Sequence, residues 1–344
     1  MGMIDWNAAQ RIGEMFAGDA PRGGVALAEL EPRAQHFAAL VATYSHMPEP
    51  QRLPPLEAVD RPAWIAANLT TMKPMLAPLE SRAEGHSGPF AAQLAVASGA
   101  VMGAQVGALT GLLSQRVLGQ YDLALLESDI RPRLLLLEPN LVQAARNLGL
   151  PRAELVLWVT IHEITHAVQF EGVAWLRSYL GGLVTSLLEG MAAGPRMPRM
   201  SRLPTLSELR AGVERAGASD LLRMTLGEER WEIVERIQST MSLVEGHAEH
   251  VMDAVGAEVL PSMERLREAL NRRRADRGLS WRVLERLLGL ELKMRQYRLG
   301  RSFCDEIVRR GGTETLALAW RGADSVPTGR ELEEPGLWME RVAA

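Results

Sequence analysis

The chain has 344 residues, of which 47% are hydrophobic and 23% are charged, a composition that excludes a disordered or a collagen-like protein. Its net charge of −4 gives no reason to expect nucleic acid as a partner. The single cysteine, Cys304, excludes an internal disulfide framework and a four-cysteine zinc site.

The first part of the chain predicts helices and no targeting signal. Charged residues interrupt the N-terminal stretch, so it lacks the continuous apolar run of a secretory signal, and we expect a cytoplasmic protein. Helical periodicity predicts helices over 5–18 and 25–46. A proline-rich connector at 47–55 then leads to a helix predicted at 61–82.

A helix predicted at 89–118 falls in an unusual segment, because residues 87–115 carry no charge. The segment is long enough to cross a bilayer, but Ala, Gly, Ser and Gln dominate it. We interpret it as a tightly packed buried helix and expect no stable membrane insertion. Gly103, Gly107 and Gly111 lie four residues apart, so they would form a smooth face where another helix can approach closely.

The pattern changes after residue 120. Two short apolar runs near prolines, Tyr121–Leu126 and Arg133–Glu138, predict strands that could form a hairpin. A long helix is predicted over 151–180, with Pro151 in its first turn. Several glycines and prolines in 181–206 predict a loop or a broken helix, which is either a lid or a plain connector.

The second half of the chain predicts further helices. One lies near 206–217, and a long one runs over about 226–255. Thr225 and Glu228 have the spacing of a capping box at the start of the long helix. Helices over 262–320 complete a mainly helical pattern.

The most specific signal is the HExxH sequence His162-Glu163-Ile164-Thr165-His166. Residues four apart share a helix face, so the two imidazoles can bind one Zn²⁺. Glu163 lies about 100° round the helix from His162, where it can serve as the general base on a zinc-activated water. The apolar run before the motif indicates a buried helix, where these residues are costly unless paired or bound to metal. We predict a zinc site; the alternative is a paired cluster without metal.

A catalytic zinc site of this kind needs a third protein ligand. Glu245 adjoins an apolar stripe and should point inward, whereas His247 lies about 200° and His250 about 140° round the helix from it. We predict Glu245 as the third ligand, with His247 or His250 as alternatives. Glu249 shares the face of Glu245, so it either accepts the other N–H of a ligand histidine or is an exposed charge. Gly246 suggests a close approach of the HExxH helix.

An HExxH motif followed at a distance by a helix with a metal-binding glutamate resembles the gluzincin branch of zinc metallopeptidases. There the glutamate comes from an EGxA sequence, here Glu245-Gly246-His247-Ala248. The extension of metzincins, with a third histidine after HExxH, is absent, because residues 167–172 read AVQFEG.

Most of the chain also resembles a family of zincin-like hydrolases associated with deazaflavin-coenzyme biosynthesis. The matching segments are IDW at 4–6, RPAWIAANL at 61–69, VLGQYDLAL at 117–125, LLLLEPNL at 134–141, LWVTIHEITHAVQFEGVAWLR at 157–177 and SLVEGHAEHVMD at 242–253. The resemblance implies a zincin-like fold and a metallohydrolase, and it implies no particular substrate.

We therefore expect a mainly α (α+β) protein with the zincin-like metalloprotease fold, helical with a small β-sheet. Residues 1–344 would form a single unit or two lobes, 1–150 and 151–344. The expected function is that of a zinc-dependent metallopeptidase that cleaves an amide bond in a peptide or another amide substrate. The alternative is a non-catalytic binding or scaffold protein on the same fold.

Substrate contacts are predicted only by residue type. The strand pair near 121–138 is either an edge that pairs with an extended substrate or a structural hairpin. His247, His250 and Tyr297 are candidate donors to an oxyanion. Residues 262–310 carry twice as many basic as acidic residues, which indicates a solvated helix face or an attraction for an acidic partner. The oligomeric state is left open.

Overall fold

Helices dominate the computed structural model, which describes residues 4–19, 21, 24–83, 91–127, 129–192, 223, 226–275 and 290–343. The helices are α1 (Trp6–Phe16), α2 (Leu27–Ser45), α3 (Arg61–Ala83), α4 (Ala91–Ser114), α5 (Glu138–Leu148), α6 (Arg152–Gly172), α7 (Leu176–Ala192), α8 (Glu228–Val259), α9 (Met263–Ala275), α10 (Leu290–Ala317), α11 (Gly329–Glu333) and α12 (Pro335–Ala343). The strands are β1 (Leu56–Val59), β2 (Gly119–Asp122) and β3 (Arg133–Leu137). The predicted fold class, mainly α with a small sheet, is confirmed.

The three strands form one sheet in the order β1-β3-β2. β2 pairs with β3 in antiparallel fashion, so the predicted strand pair is confirmed, although β2 begins at Gly119 and ends at Asp122. β1 pairs with β3 in parallel, with Leu56 opposite Leu134. β1 was not predicted, because four residues after a proline-rich connector are too few to show the alternating pattern of a strand.

The prediction of one long helix over 151–180 is wrong, because α6 ends at Gly172, with Val173 as its C-cap, and a separate helix, α7, begins at Leu176. The prediction of a loop or a broken helix over 181–206 is also wrong for its first part, since α7 continues without interruption to Ala192. A glycine inside a helix lowers stability by only about 1 kcal/mol relative to alanine, so the glycines of this segment do not end α7. Gly181 lies close to the carbonyl oxygen of Leu125, where a larger residue would be crowded. Residues 193–206 and the helix predicted at 206–217 lie outside the described residues.

The predicted glycine face of the uncharged segment is confirmed. Gly103, Gly107 and Gly111 bring α4 against α1 so closely that a Cβ on any of them would overlap the α1 backbone or the residue before it. The opposite face of α4 is open to solvent, with Val101 57% exposed, so the helix is only half buried. No helix in the described part of the chain is long and apolar enough to span a membrane.

The core centres on α6, which packs against α2, α5, α8 and the sheet. Nearly every residue from Leu155 to Gln169 is buried, His162 being the exception. The helix α8 also crosses α10, and the two helices meet at Gly246 and Gly300. A Cβ on either glycine would overlap the backbone of the other helix. The prediction that Gly246 admits the HExxH helix is therefore wrong: the close approach exists, but α10 makes it.

Candidate metal centre

The HExxH residues occupy the middle of α6, and Glu245 occupies the middle of α8. The side chains of His162, His166 and Glu245 are 20%, 10% and 19% exposed, so they lie at the border between core and solvent. The apolar residues of α6 are buried in the core, and this packing fixes the position of the helix that carries the two histidines. These side chains are therefore in contact with solvent and at the same time partly shielded from it.

The structure brings these three side chains into one group that could hold a metal ion. The two Nε2 atoms of His162 and His166 lie 3.2 Å apart, and Glu245 Oε2 lies 3.8 Å and 3.6 Å from them. Ligand atoms about 2.0–2.1 Å from a tetrahedral zinc lie about 3.3–3.4 Å from one another. The observed distances therefore fit one zinc ion, and two imidazoles with one carboxylate are a known catalytic donor set.

The charges of Glu163, His166 and Glu245 shift the pKa values of Glu163 and His166. Burial lowers the pKa of His166, but the carboxylates of Glu245 and Glu163 outweigh burial and raise that pKa to about 9. Burial raises the pKa of Glu163 to about 7, and Glu245 adds to this rise while His166 opposes it. Two carboxylates beside the imidazoles, the buried one of Glu163 and the partly buried one of Glu245, thus make the centre attractive to a cation.

Glu163 is held by the edge strand β2. The backbone N–H of Tyr121 donates a hydrogen bond of 2.7 Å to Glu163 Oε2. A Cβ on Gly119 would lie 2.6 Å from Val159 Cγ1 and 2.9 Å from both Cγ and Oε1 of Glu163, distances that real Cβ atoms do not reach. Only glycine at position 119 lets the strand lie this close to Glu163.

We expect Gly119→Ala to lower turnover about 100-fold, because the added Cβ displaces the Glu163 carboxylate by a fraction of an ångström or more. Zinc content should stay native, since the atoms nearest to this Cβ belong to Val159 and Glu163. Gly182→Ala is the matched control, because nothing lies within 4 Å of its added Cβ. Equal turnover in both variants, measured as kcat at native zinc content, would exclude this role for Gly119.

The other candidates from the α8 sequence lie apart from the group formed by His162, His166 and Glu245. His247 is buried, and its Nδ1 lies 3.0 Å from Gln169 Nε2. His250 contacts the Tyr44 hydroxyl at 2.9 Å and Asp305 at 2.6 Å. The structure therefore brings only Glu245 from this helix to the HExxH pair, as the helical angles predict. The side chain of Tyr297 lies outside the described residues.

The acceptor for the second ring N–H of His166 is Gln169, at 2.9 Å, rather than Glu249. Glu249 lies 4.0 Å from Arg301 on α10. Gln169 was not among the residues predicted from the sequence, because residues 167–172 contain no third histidine and an uncharged amide is not a typical metal ligand. Its spacing, three residues after His166 on the same helix face, is the signal that could have found it.

Comparisons with known proteins find a similar crystal structure and a matching family. A protein from Chloroflexus aurantiacus, whose crystal structure is described as that of a candidate hydrolase with a novel fold, is 29% identical to this chain. The two structures superpose with a TM-score of 0.69 over 99% of each chain. A search of curated proteins gives no match. The sequence model of the zincin-like metallopeptidases, a family that suggests a metal-dependent hydrolase, matches residues 4–339. Because this match spans nearly the whole chain, the protein belongs to the zincin-like metallopeptidase family.

Proposed function

We propose that the protein is a zinc-dependent metallopeptidase that cleaves an amide bond in a peptide or a related amide substrate. The observation that carries the proposal is the group formed by His162, His166 and Glu245, with the carboxylate of Glu163 beside it. Two imidazoles and a carboxylate would hold the ion and leave a fourth position for water or substrate. When bound, zinc lowers the pKa of a water to about 7 and polarises a carbonyl.

Glu163 is the proposed general base. Its carboxylate adjoins the ligands but points to the Tyr121 N–H, which fixes one oxygen and leaves the other for a proton. In this position Glu163 takes a proton from the attacking water and returns it to the departing amine. Its burial keeps bulk water from competing for that proton.

The edge strand β2 is the proposed guide for the substrate. Among the described strands, β2 pairs with β3 alone, so an extended peptide can align with the other side of β2 through the main-chain groups that Glu163 does not occupy. Because β2 also holds Glu163, a peptide aligned there has its carbonyl groups close to the base. This arrangement supports an extended peptide over a compact amide as substrate.

The test is peptide-library cleavage, followed by mass spectrometry of the products. The protein is assayed as purified, after removal of metal by a chelator, and after addition of one equivalent of zinc. We expect cleavage that disappears with the metal and returns with zinc. A protein that takes up zinc and cleaves no peptide or amide would instead be a binding or scaffold protein.

A further inference from the structure

We propose that Gln169 is a positioning residue of the metal centre: its buried amide fixes the ring of His166 and ties α6 to α8 beside Glu245. The proposal rests on the proposed function, because it assigns Gln169 to the same centre. Gln169 has an exposed fraction of 0%, so solvent cannot replace any hydrogen bond that it makes.

The orientation of the Gln169 amide follows from its partners. Nε2 lies 2.8 Å from the carbonyl oxygen of Val244, which can only accept, so the amino group must face α8. Oε1 then faces Nδ1 of His166 at 2.9 Å and can only accept a hydrogen bond. The proton of this bond therefore lies on His166 Nδ1. A flipped amide would place two oxygens against each other and is excluded.

The hydrogen bond decides which nitrogen of His166 faces the centre. With Nδ1–H donated to Gln169, Nε2 lies 3.2 Å from His162 Nε2 and 3.6 Å from Glu245 Oε2. Rotation of the ring would break the bond and leave the buried Oε1 without its proton donor, which is unfavourable where no water can replace the donor. Gln169 thus prepares His166 as a ligand before any metal arrives.

The same amide sets the spacing between the two helices that carry the ligands. Val244 directly precedes Glu245, so the bond from Gln169 anchors α8 next to the third ligand. Gln169 also donates to Nδ1 of His247 at 3.0 Å, and the His247 ring lies edge-on to Trp320 with centroids 5.0 Å apart. One side chain on α6 therefore holds α8 at two points one turn apart.

We would test the proposal with Gln169→Met, which keeps the size of the side chain and removes the amide. Gln169→Glu keeps an acceptor for His166 and removes the donor to Val244. Thr165→Val is the matched control, because Thr165 is fully buried on the same helix and its hydroxyl donates to the carbonyl oxygen of Ile161 within that helix. Zinc affinity is measured by competition with a chelator, and the His166 Nδ1–H is followed by ¹⁵N-edited NMR of the metal-free protein.

We expect Gln169→Met to weaken zinc binding 10–100-fold and to lose the exchange-protected His166 Nδ1–H signal. Gln169→Glu should keep that signal, and Thr165→Val should match the native protein in both measurements. Native zinc affinity in Gln169→Met, or an equal loss in Thr165→Val, would overturn the proposal.

The NMR measurement keeps the two proposals separable, because it needs neither zinc nor turnover. If the native protein itself shows no protected Nδ1–H on His166, the positioning role fails, even where Gln169→Met does not fold. If that signal is present and the native protein binds no zinc, the proposed function fails while the orientation by Gln169 stands.

Discussion

Replacing Glu163 by glutamine should lower turnover about 10²–10⁴-fold while zinc content and the free energy of unfolding stay close to native. Glutamine has the same shape and can still accept the hydrogen bond from the Tyr121 N–H. It cannot take up a proton from water, so the chemical step loses its base. KM should change little, because the edge strand and the three ligands are untouched.

Glu171→Gln is the matched control for this experiment, since Glu171 is an exposed glutamate near the end of the same helix. Its contact with the Tyr121 hydroxyl can persist through the amide oxygen. Turnover of Glu171→Gln should be native. A Glu163→Gln variant that retains full activity at native zinc content would remove Glu163 from the mechanism.

Replacing Glu245 by alanine should reduce the zinc content from about one ion per chain to a trace, as measured by elemental mass spectrometry. The variant keeps the two imidazoles of α6 but lacks the carboxylate 3.6 Å and 3.8 Å from them. Two neutral ligands neither complete the coordination nor balance the charge of the ion. The loss should exceed the 10–100-fold expected for a residue that only orients a ligand.

Glu258→Ala provides the matched control, because Glu258 is an exposed glutamate on α8 near its C-terminal end. It should bind zinc as the native protein does. Full zinc in Glu245→Ala together with loss in His247→Ala or His250→Ala would move the third ligand to one of those histidines. The contacts of His250 with Tyr44 and Asp305 would then have to break.

Local periodicity predicted the features that depend on one helix alone. The two histidines of HExxH were predictable as neighbours because residues four apart share a helix face. The inward direction of Glu245 was predictable because the apolar stripe of α8 marks the side of the helix that faces the core. Likewise, the spacing of Gly103, Gly107 and Gly111 predicted a close helix contact, which α1 makes.

Features that depend on distant partners were not predictable in the same way. The glycine at position 246 predicted that another segment of backbone packs closely against α8. The sequence around Gly246 does not indicate whether this segment is α6 or α10. The strand β1 exists because β3 pairs with it across 78 residues, from Leu56 to Leu134. Gln169 has a role only because α8 brings a carbonyl and a histidine to it.

The distance in sequence between Gln169 and His247 also gives a time scale for folding during synthesis of the chain. The two residues are 78 positions apart, and ribosomes add about 5–20 residues per second, so His247 is made roughly 4–16 s after Gln169. During that interval α2, the sheet and α5 are already available to cover part of α6, while the face that later receives α8 is bare. The nascent protein therefore passes through a stage in which α6, whose central residues are almost all buried in the finished fold, is only partly covered. Apolar surface that is exposed in this way during synthesis is what chaperones bind.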